Sequence, residues 1–324
     1  MLEPILILIT AVFLDIIIGD PVYPMHPVKL MGAAISTLER LFLHIRFFNG
    51  FSGILLVVMV QVLSIGVYWG VCGVLQSYQW IFSLFLTYSL FAFKDLMQHA
   101  ERVGNHLCKK DLYEARRSIA MIVGRNVATL GYGDIVRAGI ESVAENFTDG
   151  ILSPMFWFVM GAVVGLLTGV SPLLMAVSAL VFFKVTSTLD SMVGYRNEKY
   201  RYFGRPSARL DDILNFFPAR IAIVVISCAA FICGLDGKKA WTIGWRDRLK
   251  HVSPNAGHAE SSVAGALSVK LGGNTVYSSG IVEKPWLGEG TADIDTHHLK
   301  EACQLIHYAT LVSLSLSLCV LLSF

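Results

Sequence analysis

One stretch of the chain combines acidic, amide and basic side chains at spacings that suit catalysis. Asp211 and Asn215 are four residues apart and Asp212 and Asn215 are three apart, so a helix would aim all three at one point. Hard oxygen ligands on one face suit Mg²⁺, which usually takes one or two carboxylates and shares substrate phosphates. Several arginines, whose forked guanidinium groups match phosphate or carboxylate geometry, lie nearby: Arg196, Arg201, Arg205, Arg209 and Arg220. The stretch predicts a magnesium–phosphate site, and a basic loop at a membrane edge is the alternative.

A second stretch has charged residues at helical spacing. Four of them recur every four residues and would share one helix face: Arg137, Glu141, Glu145 and Asp149. Acidic neighbours four apart repel by about 0.2–0.5 kcal/mol on an exposed helix, which favours a cationic partner such as Mg²⁺ or an amine. Asn146 follows Ser142 at the same spacing. The pattern predicts a helix that binds a cation, while a solvated charged face would explain the same spacing.

A third stretch, SPNAG at residues 253–257, predicts a turn that feeds a helix, with Gly272 and Gly273 as the helix stop. Backbone amides at such a helix start donate readily to anions. Glu260 would orient an amine or act as a base, or it would simply complement the helix dipole. Both interpretations of Glu260 stay open at this point.

Near the amino terminus, Asp15 lies within an apolar run, where an ionisable group is costly and by default functional. Asp20 and His26 follow at the mouth of that run, among glycine and proline residues that favour a tight turn. These residues predict part of a pocket. The alternative is a helix cap and a turn at the membrane edge.

The composition indicates what must position these side chains. Of 324 residues, 54% are hydrophobic and only 15% are charged, whereas a soluble domain averages about 25% charged. We therefore predict an all-α, polytopic integral membrane protein with about five to eight membrane segments. The formal charge of +2 disfavours a nucleic-acid partner. The six cysteines have no CxxC spacing and predict neither a zinc site nor a disulfide framework.

Six apolar segments would form the membrane part of the chain, at about 4–18, 51–75, 80–93, 151–183, 219–235 and 305–323. The first lacks the features of a signal peptide and is expected to be a retained span. The fourth is too long for one crossing, and the residues 169–172 (GVSP) predict a turn that makes it a hairpin. The segments 80–93 and 219–235 are short enough to be re-entrant.

The polar stretches between these segments are larger than connectors require: 19–50, 94–150, 184–218 and 236–304. Lysine and arginine mark the cytoplasmic side, and the fourth stretch carries eight of them. A full crossing at 219–235 would place that stretch outside, so we expect 219–235 to enter the membrane and return. All four stretches are predicted to face the cytoplasm and to form one catalytic domain over residues 1–324.

Five sequence blocks, in this order and spacing, resemble the adenosylcobinamide-phosphate synthase family, membrane enzymes of late cobalamin assembly. The resemblance extends from Asp15 to about Gly290. The blocks are GDP (19–21) with HPV (26–28); ESVAEN (141–146); Asp190 with GYRNEKY (194–200); ARLDD (208–212) with PAR (218–220); and SPNAG (253–257) with AGAL (264–267) and LGG (271–273). Asn126 stands where much of the family has aspartate, and His258 lies at a variable position, so neither is given a role.

The resemblance implies a carbon–nitrogen ligase in the prokaryotic cytoplasmic membrane, with its active site facing the cytoplasm. Its substrates would be adenosylcobyric acid and aminopropanol or aminopropanol phosphate, joined as an amide at the expense of ATP, with Mg²⁺ as cofactor. No P-loop, GxGxxG, GxSxG or HExxH motif occurs, so the sequence does not show how ATP is bound.

Residue types then suggest roles within that reaction. Metal and phosphate binding is predicted for Asp211, Asp212 and Asn215. Phosphate or substrate binding is predicted for Arg196, Arg209, Arg220, Asn146, Tyr195 and Asn255. Catalytic roles are predicted for Glu145, Glu260, Asp20 and His26, the two glutamates being candidates to take the proton of the amine.

Two other functions deserve comparison with the ligase. A membrane prenyltransferase would also combine spans with Mg²⁺–diphosphate motifs, but it needs two aspartate-rich boxes, and only Asp211-Asp212 is compelling here. A transporter would have polar residues at mid-membrane and short loops, whereas this chain concentrates polar residues outside its apolar segments.

Overall fold

A computed structural model describes residues 1–19, 21, 23–123, 126–195, 197–273, 275–277, 280–282 and 285–324, without the side chains of 275–277 and 280–282. The chain is 76% helical, which confirms the all-α prediction. Its helices are α1 (Leu2–Ile17), α2 (Pro27–His44), α3 (Gly50–Leu75), α4 (Gln79–Ser89), α5 (Phe93–Cys108), α6 (Leu112–Ile119), α7 (Tyr132–Phe147), α8 (Ser153–Thr168), α9 (Pro172–Val193), α10 (Arg205–Leu214), α11 (Phe216–Ile232), α12 (Gly237–Asp247), α13 (Ala256–Leu267) and α14 (Thr296–Leu322). A 3₁₀ turn spans Gln76–Tyr78, and a π-helical turn spans Thr148–Leu152.

The protein is a polytopic membrane protein. Among the described residues, four helical stretches are long and apolar enough to cross a bilayer: Gly50–Cys108, Tyr132–Thr168, Pro172–Val193 and Thr296–Leu322. A fifth is added if α10 and α11, bent by 42° at Asn215, form one broken span. The same bend suits a re-entrant segment, so the predicted re-entry near 219–235 stays a prediction. Helix α1 has 16 residues, about 24 Å of rise, and is short of the roughly 30 Å hydrocarbon core.

The chain forms two compact units. Unit 1 comprises Met1–Ala92, Ser153–Asn215 and Leu316–Phe324. Unit 2 comprises Phe93–Leu152 and Phe216–Ser315. That the whole chain is one catalytic domain stays a prediction.

The pairing of α8 with α9 dominates unit 1. The predicted turn is confirmed, because α8 ends at Thr168 and α9 begins at Pro172. Glycines allow the two helices to touch: a Cβ at Gly161 or Gly165 would lie 2.8 Å from the Cα of Ala176 or Pro172, respectively. Small residues at such contacts are typical of helices packed within a membrane, where close van der Waals contact replaces the hydrophobic effect.

Helix α13 lies at the centre of unit 2, and all twelve of its residues are buried. It packs against α7, α11 and α12. The approach to α12 is close enough that a Cβ at Gly265 would contact the carbonyl oxygen of Lys239. A buried helix surrounded by other helices can position its side chains rigidly.

The end of α13 differs from the sequence-based expectation. Gly272 and Gly273 do not stop the helix; it ends at Leu267, and Ser268 adopts the left-handed conformation (φ 53°, ψ 44°). The left-handed residue that terminates many helices is usually glycine, and here serine takes that position. Gly272 instead lies in β1 (Leu271–Gly272), which pairs antiparallel with β4 (Trp286–Leu287). A second hairpin joins β2 (Thr275–Tyr277) to β3 (Gly280–Val282).

Candidate functional site

In unit 1, the predicted pair Asp211 and Asn215 meet as their helical spacing implies. The Asn215 side-chain amide donates to Oδ2 of Asp211 at 3.0 Å, and its Oδ1 accepts from the Ser153 hydroxyl at 2.6 Å. Both Asn215 and Ser153 are buried. Because both ends of its amide are engaged within the protein, Asn215 is built to orient the Asp211 carboxylate.

Asp212 lies beside a second carboxylate that the spacing of residues did not single out as a ligand. Asp190, near the end of α9, and Asp212, on α10, interact electrostatically and are both half-buried. Gly194 makes room for Asp190, since a Cβ at position 194 would collide with the Asp190 carboxylate. Asp190 was part of the block that it forms with GYRNEKY (194–200), but no role was predicted for it.

These carboxylates fit a magnesium ion that is shared with a substrate phosphate. Among the described residues, no three His, Cys, Asp or Glu side chains form a complete metal centre. Mg²⁺ needs only one or two protein carboxylates, and it completes its octahedron with water and phosphate oxygens. Asp190 and Asp212 would provide such a pair. Asp211, the residue before Asp212, is a further carboxylate beside it.

The loop between α9 and α10 is held in place by several side-chain and backbone contacts. Lys199 forms an ion pair with Glu39 at 2.7 Å, and the Tyr200 hydroxyl donates to the same carboxylate at 2.8 Å. Gly204 closes the loop by lying against the Val193 carbonyl, where a Cβ could not fit. The predicted phosphate-binding residue Arg196 is outside the described residues.

Two predicted binding residues of this region are open to solvent. Tyr195 is 58% exposed, and the guanidinium group of Arg209 lies on the exposed side of α10. Arg209 forms no ion pair with any residue that the structure describes. It therefore stays available to an anionic ligand.

The amino-terminal block has a visible structural role. Nδ1 of His26 accepts from the Val28 backbone N–H at 3.2 Å, which makes His26 the N-cap of α2. His26 therefore forms the helix cap that was the alternative interpretation of this block. Asp20 lies outside the described residues, and Asp15 is buried in α1.

In unit 2, the polar and charged residues of α7 have different partners. Glu141 accepts from the backbone N–H of Gly272 at 2.7 Å and so holds β1. Arg137 pairs with Asp134 at 2.8 Å, and the Asn146 amide donates to the Ser142 carbonyl at 2.8 Å. Among Arg137, Glu141, Glu145 and Asp149, only Glu145 is exposed.

Beyond Glu145 the helix changes its geometry. Asp149 belongs to the π-helical turn Thr148–Leu152, so the four-residue repeat does not continue through it with α-helical geometry. Single π-helical turns inside α-helices occur frequently at functional sites.

Glu260 is a buried carboxylate that faces an imidazole. It is 4% exposed, and its Oε1 lies 3.7 Å from Nε2 of His251. Nδ1 of His251 accepts from the Ser253 backbone N–H at 3.0 Å, which orients the ring. His251 lies two residues before the SPNAG block, and its type gave no signal of this pairing.

Asp247 is a fully buried carboxylate that also went unpredicted. The Arg246 guanidinium binds it through two hydrogen bonds of 2.8 and 2.7 Å, and Lys250 and the Gly288 N–H bind it at 2.7 and 2.9 Å. Burial acts to raise the pKa of Asp247, but these donors together lower it to about 2. The Asp247 carboxylate thus links the end of α12 to the turn that follows β4.

The chain is similar to known proteins over almost its whole length. A family model described as CobD/Cbib protein matches residues 8–306. The chain is 38% identical to "Cobalamin biosynthesis protein CobD" of Klebsiella pneumoniae over 311 residues, 94% of this chain and 93% of that protein. It is 36% identical to the CobD protein of Desulfotalea psychrophila and 38% to "Cobalamin biosynthesis protein CbiB" of Salmonella typhimurium, with the same coverage of both chains. No solved structure matches the chain at a significant level.

Proposed function

The chain belongs to the CobD/Cbib protein family, and on that basis we propose that it is the amide ligase of cobalamin biosynthesis. The names of its relatives support a role in cobalamin biosynthesis and a corrinoid substrate. The proposed reaction joins a carboxylate of adenosylcobyric acid to the amine of aminopropanol or aminopropanol phosphate and converts ATP to ADP and phosphate.

The observation that carries the proposal is the pair Asp190 and Asp212, two carboxylates from different helices that lie near each other. Two half-buried carboxylates whose charges act on each other are unfavourable unless a cation or a proton neutralises them. Mg²⁺, when bound there, would neutralise the phosphate oxygens during phosphoryl transfer. Asn215 and Ser153 would hold Asp211 in place for the same purpose.

Activation of the acid is assigned to unit 1. The substrate carboxylate oxygen attacks the terminal phosphorus of ATP, the bond to the bridging oxygen breaks, and ADP leaves with that bond's electron pair. The product is an acyl phosphate. Arg209 would donate to the phosphate oxygens whose charge changes in this step.

Amide formation is assigned to the carboxylates of unit 2. The amine nitrogen attacks the acyl carbon, a carboxylate takes the ammonium proton, and phosphate leaves with the electrons of its C–O bond. Glu260, oriented next to His251, and the exposed Glu145 are the two candidates for this base.

A direct assay tests the proposal. Purified protein in detergent, given adenosylcobyric acid, aminopropanol phosphate, ATP and Mg²⁺, should form the amide with one ADP per product. ATP consumption without a corrinoid amide, or amide formation without ATP, would refute it. Growth of a strain that lacks the chain should be restored by supplied cobinamide, which a prenyltransferase deficiency would not allow.

We also propose a cytoplasmic-membrane location with the polar stretches on the cytoplasmic face. Single cysteines at Asn126, Tyr202 and Lys250, all exposed positions, should react with an impermeant reagent from the same side once the six native cysteines are replaced. Labelling of position 250 alone from outside would show that α11 crosses the membrane fully and would remove the residues of α12 and α13, including Glu260, from a cytoplasmic reaction.

A further inference from the structure

Two arginines of unit 2 lack any acidic partner among the residues that the structure describes. The Arg220 guanidinium lies 3.4 Å over the ring of Phe216 and donates to the Phe216 carbonyl. The Arg248 guanidinium lies 4.9 Å from the Trp245 ring and donates to the Trp245 carbonyl. Both side chains are half-buried. Each charge is thus held only by an aromatic face and a neutral carbonyl of its own helical segment.

The two arginines converge on the start of α13. A Cβ at Gly257 would collide with the carbonyl oxygen of Arg248, which places the end of α12 directly against that helix start. Arg220 lies one turn from Ile223, whose side chain reaches Gly244 of α12. Arg220 and Arg248 repel each other, and both act electrostatically on His258.

His258 is fully buried beside them. Its Nδ1 lies 3.2 Å from the Asn255 carbonyl and donates to it, whereas its Nε2 has no hydrogen-bond partner among the described residues. Burial, together with the charges of Arg220 and Arg248, lowers the pKa of His258 to about 4, so the ring is neutral at pH 7. The Trp245 indole N–H is likewise buried, and no described residue accepts its hydrogen bond.

Buried polar groups normally have partners, so unpartnered ones beside two uncompensated cations need an explanation. Among the described residues, the buried unpartnered atoms here are one donor, the indole N–H of Trp245, and one acceptor, Nε2 of His258. The guanidinium groups of Arg220 and Arg248 add further N–H donors beside them. A tetrahedral oxyanion carries several acceptor oxygens and up to two negative charges, which would match two guanidinium groups from separate helices. A carboxylate offers only two oxygens and one charge.

We propose that Arg220, Arg248 and Trp245 form a phosphate-binding site at the start of α13, with His258 as its floor. The inference deepens the proposed ligase function, because it assigns one phosphate-bearing substrate to unit 2. When a phosphate binds, the two guanidinium groups exchange neutral carbonyl acceptors for charged oxygens. The ligand's phosphate belongs either to the nucleotide or to a phosphorylated amino alcohol.

Calorimetric titration of the full chain in detergent with inorganic phosphate tests the site. Binding should weaken at least tenfold in Arg248→Gln and in Arg220→Gln. Arg117→Gln is the matched control, because the Arg117 side chain is 74% exposed and pairs only with Glu114 at 3.6 Å. Thermal unfolding of each variant verifies folding, and Arg248→Lys, which keeps the charge, should retain part of the affinity. Equal phosphate affinity in the wild type and both glutamine variants, or no phosphate binding to the wild type, would overturn the site.

Two further titrations identify the source of the phosphate. A non-hydrolysable ATP analogue and phosphoethanolamine are each titrated into the wild type and Arg248→Gln. The ligand whose affinity falls in the variant is the one held here, and unchanged affinities for both would overturn the assignment to a substrate. These measurements need no turnover, so the site can stand if the ligase assay fails, and the ligase function can stand if phosphate binding is unaffected.

Discussion

Nε2 of His251 lies 3.7 Å from Oε1 of Glu260, while the opposite ring nitrogen accepts a hydrogen bond from the Ser253 N–H. A neutral imidazole in this arrangement carries its proton on Nε2, facing the carboxylate. We therefore expect the ring to act as a positioning residue for a negative Glu260 in the proposed amide-forming step.

His251→Phe should test this role, because phenylalanine keeps a ring but removes both nitrogens. We expect kcat to fall about tenfold, equivalent to ~1.4 kcal/mol, with a smaller change in KM for ATP. His297→Phe is the control, since His297 forms a similar 3.4 Å contact with Glu301 while 72% exposed. If both variants turn over at the wild-type rate, Glu260 does not depend on His251.

Asp212→Asn should leave folding intact and reduce turnover. Removing one carboxylate of a magnesium–phosphate site costs about 2–4 kcal/mol of transition-state stabilisation, or roughly 30- to 1000-fold in rate. The loss should be measured by ADP release across a titration of Mg²⁺. Asp293→Asn, at an exposed acidic residue, serves as the control. Normal ADP release by Asp212→Asn at limiting Mg²⁺ would exclude Asp212 as a metal ligand.

A comparison of the single variants Glu145→Gln and Glu260→Gln should identify the base that takes the proton of the amine. The variant that lacks the base should still activate the acid, so it hydrolyses ATP slowly in the presence of cobyric acid without forming amide. Hydroxylamine, a strong nucleophile, should then trap the activated acid as a hydroxamate in that variant. A variant that loses both ATP turnover and trapping belongs to the phosphate-transfer step instead.

Asp247 should make stability depend on pH in the acid range. Its pKa is about 2 in the folded protein and about 3.9 when unfolded, so its contribution is complete above pH 4 and is lost as pH falls toward 2. Arg246 and Lys250 are partly exposed, so we expect Asp247→Asn to lower the unfolding free energy by about 1–2 kcal/mol at pH 7.

Unfolding of wild type and Asp247→Asn should be compared at several pH values between 3 and 7. The difference between the two proteins should shrink toward the acid end. A difference that stays constant over this range would show that the carboxylate charge contributes nothing to stability.

Contacts within one helix were predictable from the sequence, because spacing alone determines them. The Asp211–Asn215 bond and the Asn146–Ser142 bond both follow a four-residue separation. The α8–α9 turn was predictable as well, since an apolar run too long for one crossing contained glycine and proline.

Contacts between helices were not predictable in this way. Asp190 and Asp212 are on different helices, and Asp247 accepts a hydrogen bond from Gly288, 41 positions later in the sequence. Periodicity shows which face of a helix is apolar, but not which neighbour covers it. The left-handed Ser268 was missed as well, because that conformation is usually taken by glycine, and Gly272 and Gly273 lie only a few residues further on.

The α8–α9 hairpin bears on how the protein is made. Only residues 169–171 separate the two helices, so insertion of one brings the other to the bilayer. We therefore expect the two helices to insert as a pair that makes contact through Gly161 and Gly165. Bulky substitutions at these glycines would consequently reduce the amount of protein that reaches the membrane, whereas the molecules that do assemble would present their polar residues unchanged.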